Sequence, residues 1–220
     1  MKRKVLVTGA SRGLGAVVVK SLPEYEVIPF TRKDFDYLNP QSQSEIPEVD
    51  IVIHCAGGGL GLREPLLAVQ HFHSLFMVNL AGAAEINRLV IPYMKDMAWG
   101  RVVHVCSIAS GEAVGSVGYN TVKAALGAYV RSLGRELARS GVVVSGIAPG
   151  GFLAPGNAME RLQANNPEAF ADFLKNRLAR GFMGNATELI PLLRYLISDD
   201  ASMMGGCVVP IDAGEGKYYS

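Results

Sequence analysis

The sequence predicts an α/β fold: one doubly wound parallel sheet with helices on both faces. Three observations carry that expectation. Short β-branched runs (KVLVT at residues 4–8, DIVIHC at 50–55, VVHVC at 102–106, VVVSGIA at 142–148) alternate with longer stretches of helical periodicity. The runs are apolar almost throughout, as strands covered on both faces are, rather than alternately apolar and polar. The first run passes directly into a glycine-rich turn and then a helical stretch, Ala16-Val17-Val18-Val19-Lys20, the opening unit of such a sheet.

Length and charge bound the rest. A chain of 220 residues fits one domain, expected to span 1–220, and buries roughly seven-tenths of its unfolded surface. Hydrophobic residues make up 49% of it, enough for a large core. The formal net charge of +1 creates no global basic field, so neither nucleic acid nor an acidic membrane is an expected partner, and a small molecule is. No apolar run reaches the ~18 residues that would span a bilayer, and the chain enters a strand within its first residues, which together predict a cytoplasmic protein. Cys55, Cys106 and Cys207 are odd in number, show no metal-binding spacing and adjoin apolar runs, so they read as buried thiols.

The turn Gly9-Ala10-Ser11-Arg12-Gly13-Leu14-Gly15 aims free backbone N–H groups and a positive helix end at a bound phosphate, and its glycines let a diphosphate approach the backbone. A tight βα connection is the competing reading, but the position right after the first strand favours a dinucleotide. The second strand, residues 26–31, leads to Arg32. With Arg12 from the glycine turn, Arg32 could clamp a ribose 2′-phosphate, so NADP is favoured; Asp34 and Asp36 keep NAD possible. Residues 33–49, interrupted by Pro40 and Pro47, leave little room for a full crossover helix before the strand at 50–55. Ala56-Gly57-Gly58-Gly59-Leu60-Gly61 then reads as a flexible segment beside the cofactor, or as a plain linker. Residues 64–97 carry helical apolar spacing with Asn79 inside it. His71 and His73, two apart, project to different faces and make a poor ligand pair.

The stretch 102–123 organises the chemistry. It reads as strand, loop and helix start. Tyr119 and Lys123 are four residues apart and so share a helix face. A free tyrosine loses its proton near pH ~10, but an adjacent ammonium stabilises the phenolate and suits the pair to proton transfer with a carbonyl oxygen. Ser107, at the strand's carboxyl end, could hydrogen-bond the same oxygen; Ser110 is a second candidate. The pair alone is weak evidence, because eight tyrosines and eight lysines give a chance Tyr-x-x-x-Lys about 0.3 times in such a chain. Residues 124–140 continue the helix, with Gly141 as its carboxyl cap, and the strand 142–148 ends in Pro149-Gly150-Gly151. About residues 152–185 read as a mobile cover over the substrate or as a partner-binding insertion. A last helix is expected at 188–198 and a last strand at 207–212.

Taken together, these motifs resemble the short-chain dehydrogenase/reductase family in its classical branch. Thr8-Gly9-Ala10-Ser11-Arg12-Gly13-Leu14-Gly15 is similar to its TGxxxGxG cofactor motif and Tyr119-Asn120-Thr121-Val122-Lys123 to its YxxxK. Ser107, Asn79 and Pro149-Gly150 match its serine, helix asparagine and PG turn, and Ser198-Asp199-Asp200-Ala201-Ser202 with Gly205-Gly206 resembles its carboxyl-terminal run. Beta-ketoacyl carrier-protein reductases share the TGASRG turn. The resemblance implies a single NAD(P)-binding Rossmann domain in which Tyr119 is the general acid/base and Ser107 orients the carbonyl. Lys123 would bind the nicotinamide ribose and Asn79 would hold a water of the proton relay.

Cofactor contacts are implied at Gly9, Ser11, Arg12, Gly13, Leu14, Gly15, Arg32, Asp36, Tyr37, Cys55, Ala56, Gly57, Asn79, Tyr119, Lys123, Pro149 and Gly150, with no metal. The implied activity is NADPH-dependent reduction of a carbonyl, in a 3-oxoacyl thioester or another keto-intermediate. A keto-sugar reductase is the alternative within the class, and a non-catalytic dinucleotide sensor the alternative outside it. Homodimers or homotetramers through the helices of Asn79 and Tyr119 are likewise implied. Three departures stand out. The family's NNAG is His54-Cys55-Ala56-Gly57, the threonine of its PGxxxT is Ala154, and Asp212-Ala213-Gly214 replaces Asp-Gly-Gly ahead of an unassigned KYYS tail.

Overall fold

A computed structural model describes residues 2–39 and 45–217. Pro40 and Tyr218 to Ser220 of the tail therefore lie outside the described residues. Strand β1 (Lys4–Thr8), helix α1 (Gly13–Ser21), β2 (Glu26–Phe30) and β3 (Ile51–His54) form the first half. Helix α2 (Val69–Phe76) runs through a π-helical turn, Met77–Ala81, into α3 (Gly82–Asp96), and β4 (Gly100–Val105), α4 (Val117–Glu136) and β5 (Val142–Pro149) follow. Beyond them come β6 (Phe152–Leu153), α5 (Ala158–Asn165), α6 (Pro167–Arg177), β7 (Gly184–Asn185), α7 (Ile190–Leu196) and β8 (Val208–Ile211).

Six strands make one parallel sheet in the order β2-β1-β3-β4-β5-β8, and β6 and β7 pair separately. Strand periodicity sorts the side chains onto two faces. Leu6, Val52, Val102 and Val144 meet Ile86, Val90 and Met94 of α3 and Leu126 and Val130 of α4. Val5, Val7, Ile51, Ile53, Val103 and Ile147 meet Leu14 and Val18 of α1 and Leu193 and Leu196 of α7. This is the doubly wound Rossmann-type arrangement. The apolar strand runs reflect burial on both sides.

The short crossover between β2 and β3 contains no helix among the described residues. Aromatic packing stands in for one: Phe35 lies 6.5 Å from Phe30 and 5.3 Å, edge-on, from Tyr37, all buried between the sheet and α3. A Cβ at Gly82 would fall 2.6 Å from Tyr37 Cδ1, so the glycine admits the ring.

Two boundaries differ from expectation. The helix predicted from residue 64 starts at Val69, because Pro65 biases Glu64 away from helical backbone. Helix α4 starts at Val117, two residues before Tyr119, where Gly118 seats against Leu67 and Leu75, and it ends at Glu136, with Gly141 at φ +79° closing a separate turn. The continuous stretch Val69–Asp96 is long and apolar enough by composition to cross a membrane, although no uninterrupted apolar run was expected to be. Half of its most apolar window is buried inside the protein, as a core helix requires.

Candidate active site

The carboxyl ends of β1, β3, β4 and β5 gather the sequence-predicted residues on one edge of the sheet. The glycine turn follows β1. Gly9 has φ +65°, and a Cβ there would sit 2.7 Å from Ala56 N; a Cβ on Gly15 would overlap the Gly9 carbonyl. These absences let the turn after β1, the start of α1 and the end of β3 close on one another. Gly13, at φ +60°, has open space where a Cβ would point, and with Leu14 it begins α1, which sets a helix amino terminus beside the turn. The residues present fit a dinucleotide.

At the adenosine side, Arg12 and Arg32 are exposed and carry no ion pair among the described residues. Asp34 is committed elsewhere. Its carboxylate accepts from both the N–H and the hydroxyl of Thr31, at 2.8 Å each, which holds it below the usual carboxylate range. Asp36 accepts from Leu38 N–H at 3.0 Å and stays half-buried. The Tyr37 ring is buried beneath Gly82 and is part of the core. Ser11 is exposed on the turn, and Cys55 is a half-buried free thiol pushed up to about 12 by burial.

Around the nicotinamide end, three helical side chains converge on the loop after β3. Asn79, in the π-turn and 2% exposed, accepts from Gly58 N–H at 2.9 Å and donates to Gly58 O at 3.0 Å and Leu75 O at 2.9 Å. One lone pair of Oδ1 remains. A Cβ on Gly57 would stand 2.9 Å from that oxygen and 3.5 Å from Lys123 Nζ, so Gly57 lies between the two. Lys123 is buried, donates to the Val105 carbonyl at 2.8 Å, and sits 5.7 Å from the Tyr119 ring centre.

The half-buried Tyr119 ring passes between Gly59, whose Cβ would come within 3.8 Å, and Gly115, whose Cβ would come within 2.9 Å. From the sequence, Gly59 reads only as part of a flexible segment beside the cofactor or of a linker. Ser107 caps the 3₁₀ turn Ile108–Ser110; its Oγ accepts from Ala109 N–H at 3.1 Å, which leaves the hydroxyl proton to donate outward. Ser110 faces elsewhere, its Oγ buried against Gly127, two helical turns beyond Tyr119.

The segment expected to cover the substrate comprises α5, α6 and the β6–β7 pair, with Phe170, Leu178 and Met183 in its own small core. Pro155 O accepts from Gly13 N–H at 2.7 Å, and Gly156 packs on Arg12, so the cover rests on the glycine turn. Ala154, in place of the family's threonine, is a buried core residue against α1 and α7. A clamp not foreseen from the sequence joins cover to sheet. The Glu215 carboxylate, 3% exposed, accepts from Gly151 N–H at 2.6 Å and from Arg177 of α6 at 2.8 Å. Its only advance signal was the acid's place in the tail. Among the described residues no group of three acidic, histidine or cysteine side chains could hold a metal, and His71 and His73 are exposed.

Comparison with known proteins places this geometry. The short chain dehydrogenase family model matches residues 30–165, more than half of the chain. A 3-oxoacyl-(acyl-carrier-protein) reductase of Pseudomonas aeruginosa is 30% identical over 95% of this chain and 95% of its own. A 2-dehydro-3-deoxy-L-rhamnonate dehydrogenase (NAD(+)) of a Sphingomonas strain is 27% identical over 84% of this chain and 70% of its own. The crystal structure of an actinorhodin polyketide ketoreductase with NADPH superposes at a TM-score of 0.83 with 21% identity, over 99% of this chain and 98% of that one. A family match over residues 30–165, which include Asn79, Ser107, Tyr119 and Lys123, together with 30% identity to the Pseudomonas relative over nearly its whole length, shows that this protein belongs to the short chain dehydrogenase family, whose members are oxidoreductases.

Proposed function

We propose that the protein is an NADPH-dependent carbonyl reductase in which Tyr119 is the general acid. The observation that carries the reading is the convergence of Asn79, Tyr119 and Lys123 on the Gly57–Gly59 loop, beside a glycine turn fitted to a dinucleotide. Bound NADPH would supply a hydride to the carbonyl carbon. The chain's own part is alignment and proton management. The Ser107 hydroxyl donates to the carbonyl oxygen and fixes its direction, and the Tyr119 hydroxyl gives that oxygen its proton. The Lys123 ammonium stabilises the negative charge that develops on the phenol oxygen and holds the ribose hydroxyls. Asn79, clamped to Gly58, keeps one oxygen lone pair toward the relay that returns a proton to Tyr119.

Two unpaired arginines, Arg12 and Arg32, beside a committed Asp34 support NADP over NAD, and structural relatives that carry NADPH support the same choice. Gly9, Ser11, Gly13, Leu14 and Gly15 would hold the diphosphate and adenosine side. Asp36, Cys55, Ala56, Gly57, Pro149 and Gly150 would line the rest. The substrate class we propose is a 3-oxoacyl thioester or a related keto-intermediate, following the relative named above; the sugar-acid relative makes a keto-sugar the second class to test. Exposed Val69, Phe76, Leu89 and Val117 on α2, α3 and α4 support a homo-oligomer formed through these helices. Free thiols at Cys55, Cys106 and Cys207 are in keeping with the cytoplasmic location we propose.

The test follows NADPH absorbance with an acetoacetyl thioester, a keto-sugar nucleotide and simple ketones. Tyr119→Phe should lower kcat by about 10²- to 10⁴-fold while NADPH affinity stays within about threefold. Turnover within tenfold of the parent would refute the role of Tyr119. Tight NADPH binding with no oxidation of NADPH by any carbonyl would favour the sensor reading.

A further inference from the structure

The departure of the family's NNAG to His54-Cys55-Ala56-Gly57 has a structural counterpart beneath the site. His54 is paired in register with His104 on the neighbouring strand, both side chains facing α3 and α4, and their rings stack at 4.5 Å with 19° between planes. His54 is 2% and His104 0% exposed. A single side chain, Asn87 of α3, binds both. Asn87 Oδ1 lies 2.8 Å from His54 Nε2, and Asn87 Nδ2 lies 3.2 Å from His104 Nε2 and 3.1 Å from the Tyr129 hydroxyl on α4. The edge of the Tyr129 ring also meets His104 at 5.7 Å.

Donor and acceptor counting gives the two rings opposite tautomers. The amide oxygen of Asn87 can only accept, so His54 carries its proton on Nε2. The amide nitrogen can only donate, so His104 Nε2 is bare and its proton is on Nδ1. Its two N–H bonds serve His104 and Tyr129, and its capacity is filled. The rings are also held neutral: burial pushes His54 down to about 4 and His104 well below its ordinary range, the latter also through His54 and Lys123 nearby.

Asn87 thus grips β3, β4 and α4 from α3, and each of these elements carries one part of the site. His54 is three residues before Gly57. His104 is followed by Val105, whose carbonyl holds Lys123, and then by Ser107. Tyr129 shares α4 with Tyr119 and Lys123, and Asn87 lies two helical turns beyond Asn79. We propose that Asn87, with His54, His104 and Tyr129, is a positioning cluster that sets the spacing of the β3 loop, the Val105 carbonyl and α4, and through them the placement of Lys123 and Tyr119. The residues act through others and touch neither substrate nor cofactor.

The kinetic arm of the test rests on the carbonyl-reductase reading, and two other arms do not. In protein labelled with ¹⁵N-histidine, two imidazoles should show opposite neutral tautomers at pH 7, the Nε2–H form for His54 and the Nδ1–H form for His104. Identical tautomers, or a charged ring, would overturn the cluster. Asn87→Leu keeps the branched shape of the side chain and removes all three bonds. With displacements approaching an ångström, kcat should fall about 10- to 100-fold with the carbonyl KM within about threefold. NADPH affinity, read by fluorescence without turnover, should weaken about fivefold through the displaced Lys123.

Folded Asn87→Leu with kcat and NADPH affinity both within about twofold of the parent would refute the positioning role. If Asn87→Leu does not fold, Tyr129→Phe, which removes one bond, decides in its place. A loss of about threefold or more in kcat or NADPH affinity supports the proposal, and no loss overturns it. A parent protein that reduces no carbonyl refutes the reductase reading on its own; the NMR and affinity arms then decide for the cluster.

Discussion

The Glu215–Arg177 pair gives the cover a measurable strength. Arg177→Met keeps the stem of the side chain and removes a charge-assisted hydrogen bond of 2.8 Å to a carboxylate that is 3% exposed. Such bonds contribute about 1.5–3 kcal/mol. The guanidinium is 33% exposed, so solvent screens it and the lower end, about 1.5–2 kcal/mol, is the appropriate figure. The Arg177 stack on Phe173 lies within α6 and is kept whether the cover is open or closed. At 1.4 kcal/mol per factor of ten, the closed cover should lose about 12- to 27-fold in population relative to the open one. Amide hydrogen exchange reads this directly: α6 should exchange faster by about that factor while β1, β3, β4 and β5 stay protected. In turnover, the carbonyl KM should rise more than kcat falls, because the catalytic groups are on other elements. Unchanged exchange in α6, or an equal rise across the sheet, would refute the idea that this pair latches the cover locally. Glu215→Gln, which keeps an acceptor for Gly151 N–H, should repeat most of the effect.

Arg32→Ala should weaken NADPH binding by about tenfold or more and leave NADH binding within about twofold, as loss of a bidentate phosphate contact does; isothermal titration with both cofactors checks it. Stability should also depend on the two buried histidines. Their folded pKa values lie below the unfolded value of about 6.5, with His54 at about 4, so the unfolded chain binds protons first. Their contribution is complete above pH 6.5 and is lost as pH falls toward 4, at up to about 1.4 kcal/mol per pH unit for each ring, and urea midpoints between pH 8 and 4.5 should show a shallower loss in His54→Asn. Gly82→Ala should destabilise by about 1–3 kcal/mol, since the new methyl meets the buried Tyr37 ring with no room to move; with about 2–4 °C per kcal/mol in a chain of this size, calorimetry should find a Tm lower by roughly 2–12 °C.

The parts of the site written in contiguous residues were legible. The glycine turn, the Tyr119–Lys123 spacing, Ser107 at a strand end and the helix-free crossover each depend on local chemistry or on chain length, and the structure places the first three on one edge of the sheet. What escaped depends on contacts between distant positions. His54, Asn87 and Tyr129 are separated by 33 and 42 residues, and Glu215 reaches Gly151 across 64. Asn87, Tyr129 and Glu215 belong to no local motif, because a hydrogen-bonding side chain declares its partner only once the sheet has set the geometry. Tyr37, in a segment similar to a cofactor-contacting one, has a second task that local pattern does not announce: its ring fills the space of the missing helix in the shortened crossover.

The location of these clamps separates chemistry from substrate choice. Asn79, Ser107, Tyr119 and Lys123 stand on, or immediately beside, elements buried in the main core, and their spacing is fixed by glycines that admit close approach and by carbonyls that anchor side chains. The cover has a separate three-residue core and reaches the site through few polar contacts, chiefly Gly13 to Pro155 and Glu215 to Arg177 and Gly151. With Tyr119 as the proton donor proposed above, a change in the cover is expected to alter which carbonyl is admitted without moving that donor. The same hydride chemistry can then serve an acyl thioester in one relative and a sugar acid in another, on one sheet edge. Exchanging α5 and α6 for those of such a relative should move KM between substrate classes while Tyr119→Phe remains equally damaging in either background.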